Sequence, residues 1–236
     1  MLNRFSLFLI AAVFASPAAM AQELNMFDQI VHAGVAMYVV LAMSVLAAAV
    51  AIERLRHLRL QAIVPDGMAT EVISLWRGRK FDQIDAITSA SDSTLARIIA
   101  YMVEQRHRAP AALAGGCGDL ASRELRQHQQ KAYALAVVAT MGPIIGLLGT
   151  VVGMVESFHA IAYAGGMGNP ALLAGGISKA LVCTAAGLSV ALAALGAHHF
   201  FKHRVVAYGL KLEQVVNRLL DECAPASESS TRLEVA

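Results

Sequence analysis

The sequence predicts an all-α integral membrane protein with three transmembrane helices. Of 236 residues, 57% are hydrophobic and only 15% charged, an apolar excess beyond that of ordinary soluble domains. The excess is gathered into a few long uncharged blocks, each able to cross a bilayer as a helix. Basic residues follow two of these blocks directly, and the net charge of +2 gives no sign of a nucleic-acid partner. The basic stretches read instead as markers of the cytoplasmic side.

Residues 1–21 read as a signal peptide. Arg4 supplies a positive start, Phe5 to Ala15 an apolar core, and Ala19-Met20-Ala21 a small-x-small cleavage site. An uncleaved anchor is the alternative. The core falls short of the roughly 20 residues of a full span, which favours removal after Ala21. Residues 22–34 then form a periplasmic N-terminal segment.

Residues 35–52 carry no charge and form the first span. Arg54, Arg56 and Arg59 follow at once, so this helix runs from outside to inside. Residues 53–131 form a cytoplasmic helical domain. Val72, Leu75 and Trp76, then Phe81, Ile84 and Ile87, then Leu95, Ile98, Ile99 and Met102 recur at helical spacing. Gly78 and Ser89–Ser93 break these runs into short helices, and Pro110 suits the first turn of a new one. From Ala111 onward one long helix is expected to run into the membrane, although Gly115, Gly116 and Gly118 weaken its start.

Residues 132–164 hold the second span, free of charge from Ala132 to Val155. The loop 165–171 has turn chemistry and no Lys or Arg, which places it in the periplasm. Residues 172–201 form the third span, and Lys202, His203 and Arg204 mark its cytoplasmic exit. Residues 202–236 make a cytoplasmic C-terminal helix and a Ser- and Glu-rich tail expected to be disordered. The expected topology is N-terminus out and C-terminus in, in a bacterial inner membrane, with the second and third helices continuing into the cytoplasmic domain.

Gly142, Gly146, Gly149 and Gly153 share one face of the second span, where small residues let helix backbones approach closely. Pro143 lies among them and should bend or loosen the helix. Thr150 lies beside this face. Thr184, followed by Gly187, lies at similar depth in the third span. Each hydroxyl can bond a carbonyl of its own helix or line a polar path for a proton carrier. Glu156 and Lys179 lie roughly 8–9 Å further out. They can pair, since charges within spans usually do so, or sit separately in the outer interface.

No catalytic or phosphate-binding signature is present, which argues against an enzyme. Cys117, Cys183 and Cys223 are widely spaced and read as free thiols. His198, His199 and His203 cluster at the inner end of the third span. Adjacent helix positions point apart, so a packing or interfacial role is expected rather than a metal site. No cofactor is implied.

The stretches GPIIGLLGTVVGMVESF (Gly142–Phe158) and GISKALVCTAAGLSVALAAL (Gly176–Leu195) together resemble the two signature helices of the ExbB/TolQ/MotA family. The resemblance covers roughly residues 31–206, and the three-span layout favours the ExbB/TolQ branch. It implies a homopentamer around single-span partners of the ExbD/TolR type, whose membrane aspartate carries the proton. Thr150 and Thr184 match the family's paired threonines on the ion path. Work would pass through a TonB- or TolA-like protein to the outer membrane. Three departures stand out. Lys179 occupies a position where many members carry glutamate, the late proline of the third span is replaced within Val190–Leu195, and the signal-like start is not general. The charge swap suggests an ion pair of Glu156 with Lys179 near the outer mouth. Three functions remain open: energising TonB-type uptake, driving Tol-Pal envelope constriction, or a non-conducting scaffold.

Overall fold

A computed structural model of the chain describes residues 34–163 and 170–223. The expected signal peptide, nearly all of the N-terminal segment, most of the 165–171 loop and the C-terminal tail lie outside these residues. The described residues form eight helices and no strand. Three of them are long and apolar enough to cross a membrane.

Helix α1 spans Val35–His57, with Arg54, Arg56 and His57 in its last turn. Four short helices follow: α2 (Leu60–Ile63), α3 (Met68–Arg77), α4 (Phe81–Ser89) and α5 (Thr94–Glu104). Helix α6 (Pro110–Gln130) starts with proline at its first turn, where a missing N–H costs nothing. Helix α7 (Tyr133–Tyr163) resumes after a two-residue turn at Lys131 and Ala132, so the expected single helix is interrupted briefly there. Helix α8 (Pro170–Cys223) is one continuous run of 54 residues. Its start shortens the expected loop, because Pro170 suits a helix N-terminus as well as a turn.

The described residues divide into two compact units, 34–53 with 132–163 and 170–200, and 54–131 with 201–223. In the second unit the core is built from one face of each short helix. Val72, Ile73, Ile84, Leu95, Ile98, Ile99 and Met102 are buried with Leu113 and Cys117 of α6. The C-terminal part of α8 adds Phe201, Val205, Leu212, Val216 and Leu219, at the spacing of one helical stripe. Ser93 caps α5 by accepting a hydrogen bond from the Ala96 N–H at 3.2 Å.

The break expected at Gly78 is present, but the left-handed residue is Arg79, with φ of 55°. The Lys80 N–H reaches back to the Leu75 carbonyl and the Arg79 N–H to that of Trp76, each at 3.0 Å. These two bonds satisfy the last carbonyls of α3 and turn the chain into α4. Trp76 then meets Phe81 edge-on at 5.3 Å, and the Arg106 guanidinium lies 5.0 Å from the Phe81 ring centre. An ion pair of Arg77 with Glu222 ties the end of α8 to α3.

In the first unit the pattern inverts. Large side chains such as Ile144, Leu147, Leu148, Val155, Leu181 and Leu192 are exposed, while Gly142, Gly146, Gly149, Ala180 and Gly187 are buried. This is the arrangement of a bundle in lipid, where close backbone packing replaces hydrophobic collapse between helices.

Candidate ion path

Helices α7 and α8 approach along a line of small residues. A methyl at Gly153 would meet the Ala180 Cβ at 2.9 Å, and one at Gly149 the Cys183 Sγ at 2.5 Å. A methyl at Gly146 would meet the Thr184 Cα at 3.1 Å, and one at Gly142 the Gly187 carbonyl at 3.0 Å. Positions ascending α7 thus meet positions descending α8, the register of an antiparallel pair. Gly187 is tightest against backbone, since a methyl there would stand 2.6 Å from the Gly142 carbonyl oxygen. No side chain fits there without moving a main chain.

The structure brings Thr150 of α7 and Thr184 of α8 beside this line. The Thr150 hydroxyl donates to the Leu147 carbonyl of its own helix at 2.7 Å. The Thr184 hydroxyl donates across the interface to the Gly146 carbonyl, also at 2.7 Å. A threonine hydroxyl has one proton and two lone pairs. With the proton committed to backbone, each oxygen offers only acceptor capacity outward.

Rotating about 100° per residue from the contact line puts both threonines on one flank of the helix pair. Glu156 and Lys179 fall on the opposite flank. Helix α1 packs toward that second flank, with Ala36 Cβ 3.2 Å from where a Gly149 methyl would stand. The threonine flank faces away from it. By the same register Glu156 and Lys179 differ in depth by about 3 Å. Both side chains are exposed, and no ion pair joins them within one chain among the described residues.

Pro143 lies inside α7, on the stripe that carries Thr150 two turns later. Thr140, exposed on the same helix, donates to the Ala136 and Val137 carbonyls at 3.1 and 3.0 Å. Nothing in the pattern reading singled it out, because a lone threonine in a span is unremarkable until Pro143 is related to it. Where the start of α7 meets α8, His198 Nδ1 lies 3.4 Å from the Ala132 carbonyl, and its ring meets that of His199 edge-on at 5.7 Å. Among the described residues no group of His, Cys, Asp or Glu gathers to hold a metal, and the three cysteines are free.

Charge is concentrated elsewhere, in the second unit. Glu124 is 7% exposed and forms an ion pair with Arg97 at 3.4 Å. His128, one turn on, is pushed below its ordinary pKa by burial first and by the nearby Lys131 second. Burial also raises the Cys117 and Cys223 thiols to about 11.

These features define a multi-pass helical membrane protein with a tightly packed pair of spans and hydroxyl acceptors on one flank. Residues 88–214 match the MotA/TolQ/ExbB proton channel family, and the chain belongs to it. It is 28% identical over 200 residues to the putative biopolymer transport protein ExbB-like 1 of Synechocystis sp., covering 82% of this chain and 76% of that one. The Tol-Pal system protein TolQ of Haemophilus influenzae is 36% identical over 101 residues, 43% of this chain and 42% of its own. The biopolymer transport protein ExbB of Salmonella typhimurium is 36% identical over 86 residues, 36% of this chain and 35% of its own. The chain is therefore an inner-membrane protein of the ExbB/TolQ branch, in a family of channels rather than enzymes.

Proposed function

We propose that this chain is the proton-channel subunit of an inner-membrane motor that energises TonB-dependent transport across the outer membrane. The observation that carries this is the placement of Thr150 and Thr184 on one flank, away from α1, with both hydroxyl protons committed to backbone. That flank offers acceptors and small residues to a partner helix. A carboxylate on such a partner would move between a polar surface when charged and an apolar one when protonated. Each proton crossing the membrane supplies about 2.3 kcal/mol per 100 mV. In this reading the chain forms a homopentamer around an ExbD/TolR-like protein with a membrane aspartate. The N-terminus is periplasmic and the C-terminus cytoplasmic, and a TonB-like protein takes up the work.

The Tol-Pal reading keeps one specific support, since the likeness to a TolQ protein is as strong as that to an ExbB protein. One experiment addresses both. The full chain is purified in mild detergent with whatever binds it. A small single-span protein with a membrane aspartate is expected, and its absence would leave the non-conducting scaffold. The periplasm-spanning protein that accompanies it decides between TonB-type and Tol-type work.

A further inference from the structure

Pro143 has no N–H, so the carbonyl of Ala139, four residues earlier in α7, loses its helical donor. A carbonyl left without a donor in hydrocarbon costs several kcal/mol unless a side chain, a water or a local change of helix geometry meets it. Ala139 stands eleven residues before Thr150, three helical turns, so the two share a face about 16 Å apart along the axis. Beside the freed carbonyl is Thr140, exposed, its hydroxyl proton already given to Ala136 and Val137. Like Thr150 and Thr184, it turns only lone pairs outward. The exposed Leu147 separates the two levels. Helix α7 therefore presents acceptors at two depths, Thr140 standing about 80° further round the helix than Thr150, and neither hydroxyl turns a fixed donor outward. That chemistry suits a hydrated proton and repels an anion.

We propose that the Ala139 carbonyl and the Thr140 hydroxyl form a second binding station for a hydrated proton, on the side of Thr150 toward the start of α7. It rests on the ion-path reading of Thr150 and Thr184 and extends that path toward the inner end of the span. Pro143 acts by freeing the carbonyl, and bending alone would not require a hydroxyl beside it.

The test uses the full chain with its co-purifying partner in liposomes under an imposed pH gradient, with an enclosed pH-sensitive dye as readout. Thr140→Val keeps the shape and removes the hydroxyl, Thr140→Ser keeps the hydroxyl, and Pro143→Ala returns the missing N–H. Thr150→Val is the control for the underlying path. Thr140→Val and Pro143→Ala should each slow proton entry about tenfold at equal protein content, and Thr140→Ser should restore it. If Thr150→Val stops entry while Thr140→Val and Pro143→Ala conduct as the unaltered protein does, the station is refuted and the path stands. Equal loss in Thr140→Val and Thr140→Ser also refutes it, because shape rather than the hydroxyl then matters. An unaltered complex that conducts nothing overturns the path and the station together.

Discussion

The Thr184 hydroxyl donates a 2.7 Å hydrogen bond to the carbonyl of Gly146, a residue 38 positions away on the neighbouring span. Thr150, its counterpart, bonds only within its own helix. The two threonines of the candidate path are therefore unequal. Thr184 also fastens α8 to α7, whereas Thr150 does not.

A split between stability and transport follows. Thr150→Val and Thr184→Val should both abolish proton-driven activity. Only Thr184→Val should also weaken the folded protein, by about 0.6–1.7 kcal/mol, the range of hydroxyl bonds between membrane helices. Denaturant titration of each variant in detergent reads the difference. Equal stability of the two would show that the cross-helix bond contributes nothing.

The glycine line makes a sharper steric prediction. Gly187→Ala places a methyl 2.6 Å from the Gly142 carbonyl, and Gly149→Ala places one 2.5 Å from the Cys183 sulfur. Each should cost about 1–3 kcal/mol by overpacking, seen as reduced folded protein in the membrane. Gly118→Ala in α6 meets nothing within 4 Å. It should stabilise its helix by about 0.5–1 kcal/mol.

Glu156 and Lys179 occupy the same flank at nearly the same depth without touching in one chain. Any pairing between them needs a change of rotamer within one chain or a neighbouring subunit of the proposed homopentamer. If they pair, Glu156→Gln or Lys179→Met alone should impair assembly more than the two together, and exchanging the charges should recover part of the activity. Native gel analysis of the oligomer measures the effect. Strictly additive defects would mean the residues are independent, with Lys179 reaching the interface by itself.

The proposed orientation can be read with a membrane-impermeant thiol reagent on intact cells. Gly168→Cys should label and Asp92→Cys should be protected, and the reverse pattern would overturn the topology. Background from the native thiols should be low. Cys117 and Cys183 are buried, and the Cys117 and Cys223 thiols are raised to about 11.

His128 gives a pH dependence whose sign is fixed. Burial and Lys131 lower its folded pKa beneath 6.5, so below neutrality the unfolded chain binds more protons than the folded one. Stability should be full above about pH 7 and fall as the pH drops through 6.5 toward the lowered folded value. His128→Gln should flatten that slope in thermal melts between pH 5 and 7. An unchanged slope would assign the loss to other groups.

The spans were legible in the sequence because lipid permits few solutions. A chain in hydrocarbon must satisfy its backbone internally, so uncharged stretches such as residues 35–52 can only be helices. The short helices were legible too, through punctuation at Gly78, Ser93 and Pro110, whose chemistry acts locally. The glycine face of the second span could be read from spacing alone. Tertiary structure decided what depends on a partner surface. It placed the left-handed residue at Arg79 rather than Gly78, since the bonds closing α3 set the turn. It showed why Gly116 is glycine, with the Tyr101 ring filling the space of a side chain. Above all, it fixed the register of α7 against α8. Sequence gives each residue an angle about its own helix but not the angle at which two helices meet. Close contact at Gly146 and Gly187 settles that angle. Thr150 and Thr184 thereby share one flank, and Glu156 and Lys179 the other.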